Sequence, residues 1–193
     1  MKWVIAAIVV FIPVYTYLTL HFRRPDPVYE PYAEARERAT VLRLRAAGYR
    51  RVPLAAARPT EPLRPAVPAS IHEVPGGLPA PLETAVVAAP LLPTTVSQIT
   101  AAGEAGEDAP YPVDFAATLP DEKEDLLDGQ AYVRPGELVI VPNFEHVAGA
   151  LLVRSPEVTV RLTLPAGVLA PGRYRVTLVG LRNAQSWQLI VSK

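Results

Sequence analysis

Three kinds of hydrophobic patterning follow one another along the chain. From Trp3 to Phe22 (WVIAAIVVFIPVYTYLTLHF) no side chain is charged, and about 20 such residues, rising 1.5 Å each, cross a bilayer core. This predicts a transmembrane anchor over residues 1–24. Between Tyr32 and Ala47 the chain turns to strong helix formers, Ala, Leu, Arg and Glu. Gly48 then offers a left-handed cap and Pro53 stops any continuation, which predicts a helix over residues 31–48. From Ala131 the apolar residues recur at every second position. In EVTVRLTL, Val158, Val160, Leu162 and Leu164 face one way; Tyr174, Val176 and Leu178 do so in RYRVTLVG, and Trp187, Leu189 and Val191 in SWQLIV. With the short apolar runs Leu138–Val141 and Ala150–Val153, about five strands joined by Gly/Pro turns predict a small antiparallel sandwich or barrel over residues 131–193.

A cleaved signal peptide is the competitor for the first stretch. Its apolar run is longer than a signal requires, and it ends in Thr19-Leu20-His21-Phe22-Arg23-Arg24, without small residues for cleavage. Trp3 at one end, and Tyr15, Tyr17 and Phe22 toward the other, suit interfacial belts, with Arg23 and Arg24 just beyond. The expectation is an uncleaved single-pass anchor in a membrane such as a bacterial inner membrane, kinked at Pro13. Arg23, Arg24, Arg36 and Arg38 outnumber Lys2 across the span, so the charge bias favours a cytoplasmic body, with a periplasmic one as the alternative.

In the second stretch, at about 100° per residue, Tyr32, Ala35, Ala39, Leu42 and Ala46 fall on one stripe. Arg36 and Arg43 line one edge of it, Arg38 and Arg45 the other. Such a helix lies on anionic headgroups, docks its Ala-rich seam on a partner, or serves as a solvated spacer. A lone helix of this length is marginal in water, which favours the first two.

Proline changes the picture between the helix and the β-unit. Of 22 prolines, 13 lie between Val52 and Asp121. Runs such as ARPTEPLRPAVP favour extended polyproline II and predict a tether over residues 52–120. Within it, ETAVVAAPLLPTTVSQI either lies along another protein or is a disordered linker of biased composition. TLPDEKEDLLDGQ predicts a short acidic helix over residues 121–129, with Thr118 as cap and the acids at the positive end of its dipole.

Charge and candidate chemistry narrow the function classes. Formal net charge is zero, which points away from nucleic acid, and there is no cysteine for disulfides, thiolate chemistry or thiolate-bound metals. The three histidines, His21, His72 and His146, are scattered and lack co-ligand spacing. No hydrolase, phosphate-loop or dinucleotide motif is present. The chain is therefore expected to be non-catalytic, with no cofactor, metal or small-molecule substrate.

LTLPAGVLAPGRYRVTLVG resembles the late strands of immunoglobulin-like and fibronectin-like sandwiches, with Tyr174 placed as a tyrosine-corner residue at the head of a strand. The resemblance covers about residues 158–191 and departs from immunoglobulin domains in having no Cys pair and fewer strands. It implies an adhesive or spacer module, with Tyr174 and Trp187 as structural residues.

The expected architecture is thus a single transmembrane α-helix plus a small all-β, antiparallel sandwich-like C-terminal domain, joined by a Pro-rich extended linker. The expected function is that of a non-catalytic single-span accessory or structural subunit of a larger membrane complex, for example a photosynthetic or respiratory one. Its partners would be integral membrane subunits and the lipid bilayer. The alternative is a free-standing, membrane-tethered binding module that presents its β-sandwich to a ligand or soluble partner.

Overall fold

A computed structural model describes residues 2, 11–17, 32–120, 124–146 and 157–193. Two compact units divide the chain, Met1–Arg36 and Glu37–Lys193.

In the first unit, helical geometry is found at Lys2 and at residues 11–17. Among the described residues no helix is long and apolar enough to cross a membrane. The anchor expected over residues 1–24, and the single-pass membrane placement drawn from it, are therefore not supported. Trp3, Phe22, Arg23 and Arg24 lie outside the described residues.

The second unit overturns the tether. Residues 52–120 contain most of β1 (Arg50–Ala57) and all of β2 (His72–Pro75), β3 (Thr95–Ala101), β4 (Glu104–Gly106) and β5 (Tyr111–Thr118). These pair with β6 (Glu124–Arg134), β7 (Glu137–His146), β8 (Glu157–Leu164), β9 (Gly172–Val179) and β10 (Asn183–Ser192). The result is one curled ten-stranded sheet in the order β2-β10-β9-β7-β6-β1-β8-β5-β3, with β4 also against β10. The acidic helix expected over residues 121–129 is corrected as well, since β6 begins at Glu124 and pairs with β7. The stretch expected as the linker instead supplies half of the strands.

Proline was no barrier to these elements, as four positions show, where the missing N–H is tolerated. Pro53 lies one residue before β1 changes neighbours: Arg50–Leu54 pair with β6, and Ala55–Ala57 with β8. Pro75 ends β2, and Pro112 is the second residue of β5. Pro81 lies in the first turn of a short helix, Ala80–Ala85, where the N–H would lack an intrahelical partner anyway.

The change of neighbours in β1 makes the corner that folds the sheet onto itself. Gly129 stands opposite Leu54 there, and a Cβ on it would meet the Leu162 methyls at 2.8 and 2.9 Å. The opposite corner is closed by Asn183, whose Oδ1 accepts from the Val96 N–H (2.9 Å) and whose Nδ2 donates to the Val96 carbonyl (3.0 Å). The Leu181 and Arg182 N–H groups add bonds to the Pro93 and Thr94 carbonyls. Val96 is fully buried, so removing its partner leaves two backbone groups without water or protein. Asn183→Ala is expected to cost about 2 kcal/mol in urea unfolding, with a larger loss of amide-exchange protection at Val96 than at Val160.

Inside the curl, Phe115, Leu138, Ile140, Val160, Leu162, Val176, Leu178, Trp187 and Leu189 form the main core. The inward faces expected for β8, β9 and β10 are the faces that the structure buries. A second cluster lies on the other face of β7, where Val139, Val141, Tyr132 and Val179 pack with Leu44, Leu82 and Ala85. Leu44 comes from α1 (Ala33–Ala46) and the other two from α2 (Ala80–Ala85). Covered on both sides, β7 reads as an unbroken apolar run. The fold is mostly β in a curled sheet, compatible with a sandwich-like architecture.

Candidate functional site

The outward residues of β9 and β10 build the most distinctive surface. Alternation along β9 buries Tyr174, Val176 and Leu178 and exposes Arg173 and Arg175. On β10 it buries Trp187, Leu189 and Val191 and exposes Gln188 and Ile190. The antiparallel register sets Arg175 opposite Gln188 and Arg173 opposite Ile190. Two arginines, an amide and an isoleucine therefore share one patch, with residues i and i+2 about 6.5 Å apart along each strand.

Beyond β10 the pairing is interrupted. Ser186 is matched by His72 on β2, and Ile190 by Glu104 on β4. Among the described residues Gln188, midway between, has a partner only on β9. Ile190 donates its N–H to the Gly103 carbonyl, and by alternation the backbone groups of Gln188 point to that same side. A cavity of about 570 Å³ opens at the gap, walled by Val67, Pro68, Val74, Ile190 and the edge of Trp187, with Arg175 and Gln188 at its rim.

The floor of this slot is tied down. Trp187 Nε1 donates to the Tyr111 hydroxyl (2.9 Å), which donates to the Ala102 carbonyl (2.7 Å), next to Gly103. Burial pushes the Tyr111 phenol up to about 12, so it remains a donor. Ser186 gives its hydroxyl proton to the Val176 carbonyl (2.9 Å), which takes it away from any nucleophile–base pairing with the neighbouring His72.

A second hollow of about 420 Å³ adjoins the first and shares Arg175 and Gln188 with it. Glu137, at the start of β7, stands directly opposite Arg175 of β9, and Arg134 and Arg173 also line the hollow. The Glu137 carboxylate is already engaged. It accepts from Arg134 Nε and from the Tyr49 hydroxyl, and Arg134 lies 4.7 Å over the Tyr49 ring. Burial, then the Glu137 charge, pushes the Tyr49 phenol up to about 12. With Glu137 neutralising Arg134, Arg173 and Arg175 face the hollow without an ion pair among the described residues. The two hollows together form a groove, basic at one end and apolar at the other.

The residues expected to contact a partner or lipid lie elsewhere. Tyr32, Ala35, Arg36, Arg38, Leu42, Arg43 and Arg45 are exposed, and Ala39 is half-buried. α1 docks instead through Thr40 and Leu44, about 200° round the helix from Leu42 in the case of Leu44. Tyr15 and Tyr17 are exposed on their helical run. Tyr174 and Trp187 are both buried, and the Tyr174 hydroxyl donates to the Ala170 carbonyl four residues upstream (3.0 Å). Of the groove residues, only Trp187 was singled out by sequence. The alternation of RYRVTLV and SWQLIV shows that Arg173, Arg175, Gln188 and Ile190 point outward, but not that their surface stays uncovered. Among the described residues no three His, Cys, Asp or Glu side chains gather as metal ligands.

Comparison of the chain with protein-family models, with curated proteins and with solved structures finds no match.

Proposed function

We propose that this chain is a non-catalytic binding module that acts as an accessory or structural subunit, holding an extended segment of a partner protein in the groove across β9 and β10. The observation that carries this reading is the interruption of pairing at Gln188. A strand whose backbone groups face an apolar slot satisfies them by adding a further extended segment. The built floor of Trp187 and Tyr111 supports it, because a preformed slot costs a partner less ordering than one that must open. The Tyr174–Ala170 bond supports the finer likeness to immunoglobulin-like and fibronectin-like sandwiches, whose corner tyrosine closes on upstream backbone in the same manner. That likeness favours an adhesive or spacer role.

The test is recovery of the tagged full chain from its own source under mild conditions. Gln188→Trp places a large ring over the slot at an exposed position, while Leu42→Arg alters the exposed stripe of α1. A stoichiometric partner is expected with the unaltered chain and with Leu42→Arg, and none with Gln188→Trp. Recovery of the chain alone sinks the subunit reading. Loss of the partner with Leu42→Arg but not with Gln188→Trp moves the interface to the helix.

A further inference from the structure

Building on the groove reading above, we propose that the groove captures the free carboxyl terminus of a partner protein, one that ends in an apolar residue. Three features select a chain end over a strand that runs through. The first is length. Between Ser186, matched by β2, and Ile190, whose N–H meets the Gly103 carbonyl, three residues of β10 lack a partner on that side among the described residues, and of these only Gln188 turns its backbone groups toward the gap. One residue of an added chain meets Gln188, and a continuing strand would collide with β2 or with the 103–104 turn.

The second feature is charge. Arg173 and Arg175 stand side by side at one end of the groove, and Glu137, the acid that lines their hollow, is occupied by Arg134 and Tyr49. Planar guanidinium groups in this arrangement match a carboxylate, which takes two parallel bonds from such a fork. The third is the apolar slot that begins where the arginines end, across the shared Arg175 and Gln188. A terminal residue presents a carboxylate, one side chain and one N–H within a few ångströms of each other. The carboxylate meets Arg175 and Arg173, the side chain enters between Val74 and Ile190, and the N–H meets the Gln188 carbonyl. An inorganic anion would satisfy the arginines but leave the slot empty.

The experiment uses the full chain and random heptapeptides displayed with free carboxyl ends. Enriched sequences are then made as the free acid and as the carboxyl amide, each with a fluorophore at the amino end, and titrated by anisotropy. The expected result is enrichment of apolar last residues, with the amide binding about tenfold or more weakly than the acid. Arg175→Gln is expected to weaken the acid to the level of the amide and leave the amide unchanged. Arg182→Gln, which removes a charge from the β9–β10 turn, is expected to change neither, and unchanged thermal unfolding of both variants excludes misfolding. Equal binding of acid and amide, or full binding of the acid by Arg175→Gln, overturns terminal capture while leaving a groove that holds internal segments. Failure to enrich any free-ended peptide also overturns it. The groove reading then stands or falls separately, on whether Gln188→Trp releases the natural partner.

Discussion

Trp187→Ala is expected to remove about 3–5 kcal/mol of stability, the largest loss of any single substitution considered for this chain. Trp187 is 2 % exposed and is the largest of the fully buried side chains. Its indole sits on β10 between the sheet core and the groove, so truncation opens a cavity that neighbouring strands, held by pairing on both sides, cannot collapse to fill. It also removes the donor to Tyr111, which remains tied to Ala102 alone. Against a usual total of roughly 5–15 kcal/mol, the loss takes a large share of the folding free energy. Trp187→Phe separates the two contributions. It keeps most of the ring volume and loses only the N–H, so a cost of about 1–2 kcal/mol is expected. Urea unfolding followed by far-ultraviolet circular dichroism is the measurement, since Trp3 is the other of the two tryptophans and reports a different part of the chain. A loss below about 1 kcal/mol for the alanine variant would mean that the core repacks around the gap, and that the slot floor is not held by the indole.

The contrast between β10 and β1 shows what a sequence of this kind makes legible. In SWQLIV and EVTVRLTL the period-two alternation is local, one face meets the core, and inward residues follow directly. β1 (RRVPLAAA) turns Val52, Leu54 and Ala56 toward the core, but Pro53, Ala55 and Ala57 stand between and after them where polar residues would mark the outer face, so the alternation does not show in the sequence, and the strand serves two neighbours in turn. Its strand character comes from β6 and β8, far along the chain. Composition therefore pointed to a tether where long-range pairing makes half a sheet. The helix expected over residues 31–48 is present as α1, but the side it packs on the sheet is set by distant residues in the same way. Its stripe of alanines with Leu42 is the best local seam, yet Leu44 is used, because the sheet offers Val139, Val141 and Tyr132 to that side. The groove is less legible still. It depends on β2 and β4, some 30 residues apart, stopping on either side of Gln188. The outward pattern of β9 and β10 was readable, but the absence of a neighbour opposite one residue is a property of the assembled sheet.

Asp114→Ala is the second large effect, with an expected cost of about 3 kcal/mol. Asp114 is 6 % exposed on β5, directly across from Arg161 on β8. Arg161 binds it with both arms of its fork, Nε to Oδ1 and Nη2 to Oδ2, each at 2.6 Å. The hydrogen bonds it donates to Asp114 raise the pKa of the Arg161 guanidinium above its already high value, so the arginine stays charged at any pH at which the chain is folded. Asp114 Oδ2 also accepts from the Leu63 N–H (3.0 Å), and Arg161 donates to the Glu61 carbonyl (2.8 Å). The pair thus pins the proline-rich passage between β1 and β2 to the sheet, which is where the expected tether becomes part of the fold. Removing the carboxylate leaves a charged fork and a backbone N–H to find other partners. The Arg161 side chain is 27 % exposed and turns partly to water, which holds the cost to the lower end of the range for a broken buried pair. Replacing both residues together, Asp114→Leu with Arg161→Met, is expected to recover at least half of the loss, because no charge is then stranded. The full cycle is measured by urea unfolding, and proteolysis between Arg58 and Arg64 reports the local release. If Asp114→Ala costs 3 kcal/mol without new cleavage there, the pair stabilises β5 and β8 alone; if cleavage appears as well, the same pair holds the segment that leads into the groove wall.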